Sequence, residues 1–152
     1  MGTRAEKLHL EAVGQIDKLV GLSEGWDDAD LRRPCPGREK LGDGSVGSLL
    51  AHTTDNYLRI AAFLGGDAPA TEGDHRPSHH DPTEAADPDA LRHRLVRARV
   101  ELGRIAELDD LRLDSIPPEG AFRFCDGKRS LEEVLTGLLT HQGHQVDALA
   151  RS

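Results

Sequence analysis

The run His141-Gln142-Gly143-His144-Gln145 places two imidazoles three residues apart, and His52 lies within an earlier apolar segment. On a helix, residues three apart share nearly the same face. A third imidazole from a facing helix would complete a three-nitrogen site for a divalent metal, with one position open to a ligand. Gln145 stands one turn after His141. Zinc and nickel are the occupants that nitrogen donors suit. Taken singly, each of these histidines also fits a hydrogen-bonded, half-exposed side chain. The spacing is not the HExxH of zinc proteases, because both the glutamate and the four-residue step are missing. Gly143 between the two histidines costs a helix about 1 kcal/mol relative to alanine, and such a glycine often admits close approach by another element.

Four amphipathic segments would position these residues. Residues 4–22 carry His9, Val13, Ile16 and Val20, with Ala12 and Leu19 beside them, at steps of three and four. Residues 45–64 begin at Ser45 and end at Gly65-Gly66, with Val46, Leu49, Leu50, Tyr57, Ile60, Ala61 and Leu64 in the apolar stripe. Here His52 shares a row with Ser48 and Asn56, beside the stripe. Residues 88–109 open on Pro88 and carry Leu91, Leu95, Ala98, Leu102 and Ile105. The last segment, 131–150, follows the capping box Ser130-Leu131-Glu132-Glu133, and His141 and Gln145 lie in its apolar stripe. The expected fold is all-α: a four-helix bundle with long connections, one domain over residues 1–152.

The connections are polar and rich in glycine and proline. Residues 23–43 read as a loop with room for one short helical turn, and 67–86 as a mobile loop holding His75, His79 and His80. Residues 122–129 read as a short extended arm turning at Asp126-Gly127. Cys35 and Cys125 fit no metal or redox spacing and read as small buried hydrophobes.

Composition narrows the function. The 152 residues carry a net charge of -8, and aromatics make up only 3%. That balance argues against nucleic acid as a partner. No stretch has the length of an apolar membrane span, and the first twenty residues lack the core of a signal peptide. The expectation is a cytoplasmic protein with reduced thiols. The excess of arginine over lysine, with abundant Ala, Gly and Asp, points to a high-GC source.

Cys35-Pro36-Gly37, followed by Val46-Gly47-Ser48-Leu49-Leu50-Ala51-His52, resembles the N-terminal signature of the DinB-like superfamily, especially the actinobacterial mycothiol-dependent maleylpyruvate isomerases and related thiol transferases. The resemblance continues through Thr53-Thr54-Asp55-Asn56-Tyr57. It returns in Phe124 to Leu135 and in His141-Gln142-Gly143-His144. It implies a four-helix bundle whose metal is held by one histidine of the second helix and two of the last. His52 matches the first of these. The last helix departs from the usual HxxxH, so the second and third ligands fall among His141, His144 and Gln145 according to register. Arg38 stands where the family has tryptophan.

The function implied is a metal-dependent thiol S-transferase or thiol-assisted isomerase. It would use a low-molecular-weight thiol as second cofactor and a small electrophile as substrate. The alternatives are a non-catalytic metal- or small-molecule-binding protein and a purely structural dimer. A homodimer is the assembly the resemblance implies, and Val96 and Val100, off the core stripe of the third helix, could seed such a contact.

Overall fold

A computed structural model describes residues 3–35, 44–66 and 87–151. Among these the chain is all-α. The helices are α1 (Thr3–Ser23), α2 (Asp28–Arg32), α3 (Val46–Leu64), α4 (Pro88–Glu101), α5 (Asp110–Asp114) and α6 (Leu131–Ala150), with a 3-10 helix over Leu102–Glu107. The expected loop over 67–86 lies outside the described residues, as do Pro36, Gly37 and Arg38 of the resemblance.

The long helices pack in a bundle-like manner. α1 and α3 each lie against both α4 and α6, so the order around the core is α1, α4, α3, α6. Ile16 and Leu19 of α1, Leu49, Leu50 and Ile60 of α3, Leu91 and Leu95 of α4, and Val134 and Leu135 of α6 are all buried in one core. At roughly 25 cal/mol per Å² of apolar surface removed from water, this core is the main stabilising term.

The end signals work as their chemistry requires. The Ser45 hydroxyl accepts from the Ser48 amide and starts α3. Ser130 and Glu133 form the reciprocal capping box of α6. Asp87 caps α4, with Pro88 in the first turn. Two expectations are corrected. The third amphipathic segment does not stay α-helical to residue 109: Leu102 and Ile105, both buried, tighten into a 3-10 helix, whose repeat stacks residues three apart. The segment 122–129 forms turns rather than an extended arm. In it the Gly120 amide donates to the Cys125 carbonyl (3.0 Å) and the Cys125 amide to the Phe122 carbonyl (3.1 Å).

The entry to α3 is pinned at both sides of residues 36–43. The Cys35 amide donates to the Gly44 carbonyl and the Val46 amide to the Arg33 carbonyl, each at 2.8 Å, as an isolated antiparallel bridge between Pro34 and Ser45. This holds the first turn of α3, one and a half turns before His52, against α2.

Candidate functional site

Halfway along α3 and α6 the apolar core gives way to a polar layer. Buried polar groups need partners, and here each helix supplies them to the other. Asn56 of α3 donates to the Gln142 side-chain oxygen of α6 at 3.2 Å. Gln142 in turn donates to the Thr53 carbonyl at 2.8 Å. The amide nitrogen of Asn56 also lies 3.3 Å from Nε2 of His52. Nδ1 of the same ring is buried. On α6, Nε2 of Gln145 lies 3.4 Å from Nε2 of His141, one helical turn away.

The layer continues across the core to α1. Tyr57 donates its hydroxyl proton to Oε1 of Gln15 at 2.6 Å. Gln15 donates to the Leu139 carbonyl and to the Glu11 carboxylate, both at 2.9 Å. Gly143 explains itself here: a Cβ at that position would stand 3.2 Å from the Gln15 amide nitrogen. The glycine admits another element of the chain. Burial, with the nearby Glu11 charge, pushes the Tyr57 phenol well above its ordinary value. Tyr57 is therefore a fixed proton donor at every physiological pH, not a base.

Of the expected site residues, His52 and His141 are half-buried on facing helices, and Gln145 is buried beside His141. His144 is exposed. Among the described residues no three His, Cys, Asp or Glu side chains gather as a metal-holding group. The register of α6 thus puts the His141–Gln145 row, four apart, in the packed interface, and turns His144 to the outside. Gln15 and Gln142 carry much of this layer and were not singled out by sequence. A glutamine in an amphipathic pattern ordinarily reads as flanking the apolar stripe, and the only available signal was its position one helical step from it.

Cys35 and Cys125 are both buried free thiols. Burial pushes the Cys125 thiol above its ordinary value, so it is a poor nucleophile. His9 is half-buried on α1 and His93 lies on α4, neither in the layer. No described helix is long and apolar enough to cross a membrane. No protein-family model, curated protein or solved structure matches this chain.

Proposed function

We propose that this chain is a DinB-like four-helix bundle protein that holds a divalent metal, zinc or nickel, through His52, His141 and Gln145. It acts in the cytoplasm as a thiol S-transferase or thiol-assisted isomerase on a small electrophile. The observation that carries this reading is the His141–Gln145 row, whose side-chain nitrogens lie 3.4 Å apart on the helix that packs against α3, the helix of His52. Two imidazoles and a neutral amide suit a metal that takes nitrogen and oxygen donors. Gln145 can offer its oxygen in place of its nitrogen by a half-turn of the amide.

A divalent ion bound there supplies an acidifying centre for a low-molecular-weight thiol. The chain's own residues do the rest. Asn56 holds the His52 ring through Nε2, and Gln142 holds Asn56 while anchored to the Thr53 carbonyl. That chain of contacts ties His52 to α6, and a metal at Nε2 would take the place of the Asn56 contact. Gln15, bonded to Tyr57, braces the layer from α1.

A second reading, a non-catalytic metal- or small-molecule-binding protein, draws support from one observation. Among the described residues no three His, Cys, Asp or Glu side chains gather as a metal-holding group. A neutral donor set of this kind binds a metal less tightly than one with a carboxylate or thiolate. The two readings separate in one set of measurements. Untagged protein is analysed for zinc and nickel and titrated calorimetrically with each ion. It is then assayed for conjugation of mycothiol, and of glutathione, to monochlorobimane. The transferase reading expects about one metal per chain, lost in His52→Ala and His141→Ala, retained in His144→Ala, and conjugation that follows the metal. Metal uptake without conjugation selects the second reading. Absence of metal uptake, or conjugation that survives His52→Ala with His141→Ala, removes the metal-thiolate mechanism.

A further inference from the structure

Most arginines of this acidic chain are met by carboxylates: Arg4, Arg92, Arg94, Arg97, Arg99 and Arg129 each face an aspartate or glutamate. Arg59 and Arg123 have no ion pair among the described residues, although both are half-buried. Arg112 and Arg151 also lack one, but they are exposed, where water serves a guanidinium well. A half-buried guanidinium without a counter-charge is costly to keep. Two together cost more. Arg59 stands one turn before Phe63 and Arg123 follows Phe122, and those two rings stack, so the two cations are brought to the same end of α3; the charge of Arg59 adds to burial in disfavouring the charged form of Arg123.

The backbone puts this pair next to the polar layer. Arg59 follows His52 by seven residues, two turns along the same face of α3. Phe63, one turn further on, stacks on Phe122 with ring centroids 4.9 Å apart and planes at 9°. Phe124 lies against α6 at Gly137, where a Cβ would be 3.6 Å from its ring, and Gly137 precedes His141 by one turn on the same row. Arg123 sits between those two anchored phenylalanines, its guanidinium carbon 5.8 Å from the Phe124 ring centroid. Phe124 takes a positive φ of 66°, rare for a bulky residue, and the Gly120–Cys125 hydrogen bond closes the turn around it. The turn therefore holds a cation over the end of α3 where a second cation already stands.

We infer that Arg59 and Arg123 form an oxyanion-binding site, taking the carboxylate or phosphate of a small organic anion whose apolar part lies against the Phe63–Phe122 pair. Planar guanidinium forks match both oxyanions in two-pronged fashion. An anion between them turns their repulsion into attraction. This site does not depend on the metal.

The probes are benzoate, a carboxylate with an apolar body, and inorganic phosphate, titrated calorimetrically into the full chain at low ionic strength. Saturable binding of benzoate, of phosphate or of both is expected, and which of them saturates tells the carboxylate source from the phosphate source. Arg59→Gln and Arg123→Gln should each weaken it at least fivefold, while Arg112→Gln and prior treatment with EDTA leave it unchanged. Failure of both probes to saturate overturns the inference, as does a change smaller than fivefold or an equal loss in Arg112→Gln. Thermal melts without anion supply a second check. Removing one of two repelling cations should leave the midpoint the same or higher. A drop of several degrees in both variants would assign these arginines to the fold and dismiss the site.

Discussion

Tyr57 and Gln15 meet through one short hydrogen bond inside the core, and its loss should be measurable. Tyr57→Phe removes the donor and leaves Oε1 of Gln15 buried without it. The expected cost is about 1–2 kcal/mol, read from urea denaturation. The two glycines of α6 give a sharper contrast. Alanine for glycine in a helix interior gains about 1 kcal/mol where space allows. At Gly137 a Cβ meets the Phe124 ring at ordinary contact distance, so Gly137→Ala should stabilise. At Gly143 the Cβ presses on Gln15, which is held by Tyr57, Glu11 and Leu139 and has little freedom to yield. Gly143→Ala should therefore lose the propensity gain and destabilise on balance; a stabilised Gly143→Ala would show that Gln15 moves freely. At this scale spacing puts His141 and Gln145 in the apolar stripe of α6 and His52 beside that of α3, and the structure leaves the two histidines half-buried and Gln145 buried. Spacing could not choose between His144 and Gln145. Steps of three and four both stay on one face, and only the packing of α6 against α3 decides which one is buried. Gln142 was hidden for a related reason: its partners, Asn56 and the Thr53 carbonyl, come from a helix eighty-odd residues away.

The elements themselves were legible where they are long and capped. The capping box of α6 gives a direct test. Ser130→Ala removes the acceptor for the Glu133 amide and should cost about 1 kcal/mol. Glu133→Ala should cost less, since the Ser130 amide at that exposed end turns to water. Both are read from denaturation midpoints at unchanged slope. The short helices were less legible. α2 and α5 span only five residues each, too few for a periodicity of 3.6 to repeat. Their signature is instead the aspartate cap: Asp27 accepts from the Asp30 amide and Asp109 from the Arg112 amide. The change from α4 to the 3-10 helix was also hidden. Leu91, Leu95, Ala98, Leu102 and Ile105 continue one stripe, and a stripe at steps of three and four does not distinguish an α-helix that ends from one that tightens.

Across the whole molecule, charge sets the response to pH. Arg4 of α1 joins two other helices, donating to Asp114 of α5 at 2.6 Å and to Glu132 of α6 at 2.7 Å. The hydrogen bond from Arg4 holds the Asp114 carboxyl below its ordinary value. The Asp27 and Asp126 carboxyls are lowered by backbone amides, from Asp30 and from Arg129 with Lys128 respectively. A carboxylate with a lowered folded-state pKa binds fewer protons in the native than in the unfolded chain. Its contribution is complete above the ordinary value of 3.8 and is lost as pH falls below it. From neutrality down to the isoelectric region near 5.4, the net charge of -8 shrinks and self-repulsion with it. The two effects act in different windows. The melting midpoint should hold or rise slightly from pH 7.5 to about 5.5, then fall steeply below about 4. Asp114→Asn should make the acid limb shallower, because one of the protons taken up on unfolding is no longer available. All three carboxylates are solvent-exposed, so their pairs are screened by salt. Repeating the melts in 1 M sodium chloride should flatten the acid limb further where Arg4 supplies the charge, at Asp114, than where backbone amides do, at Asp126. An acid limb equally steep in wild type and Asp114→Asn at low salt would place the acid sensitivity elsewhere than in the Arg4 junction.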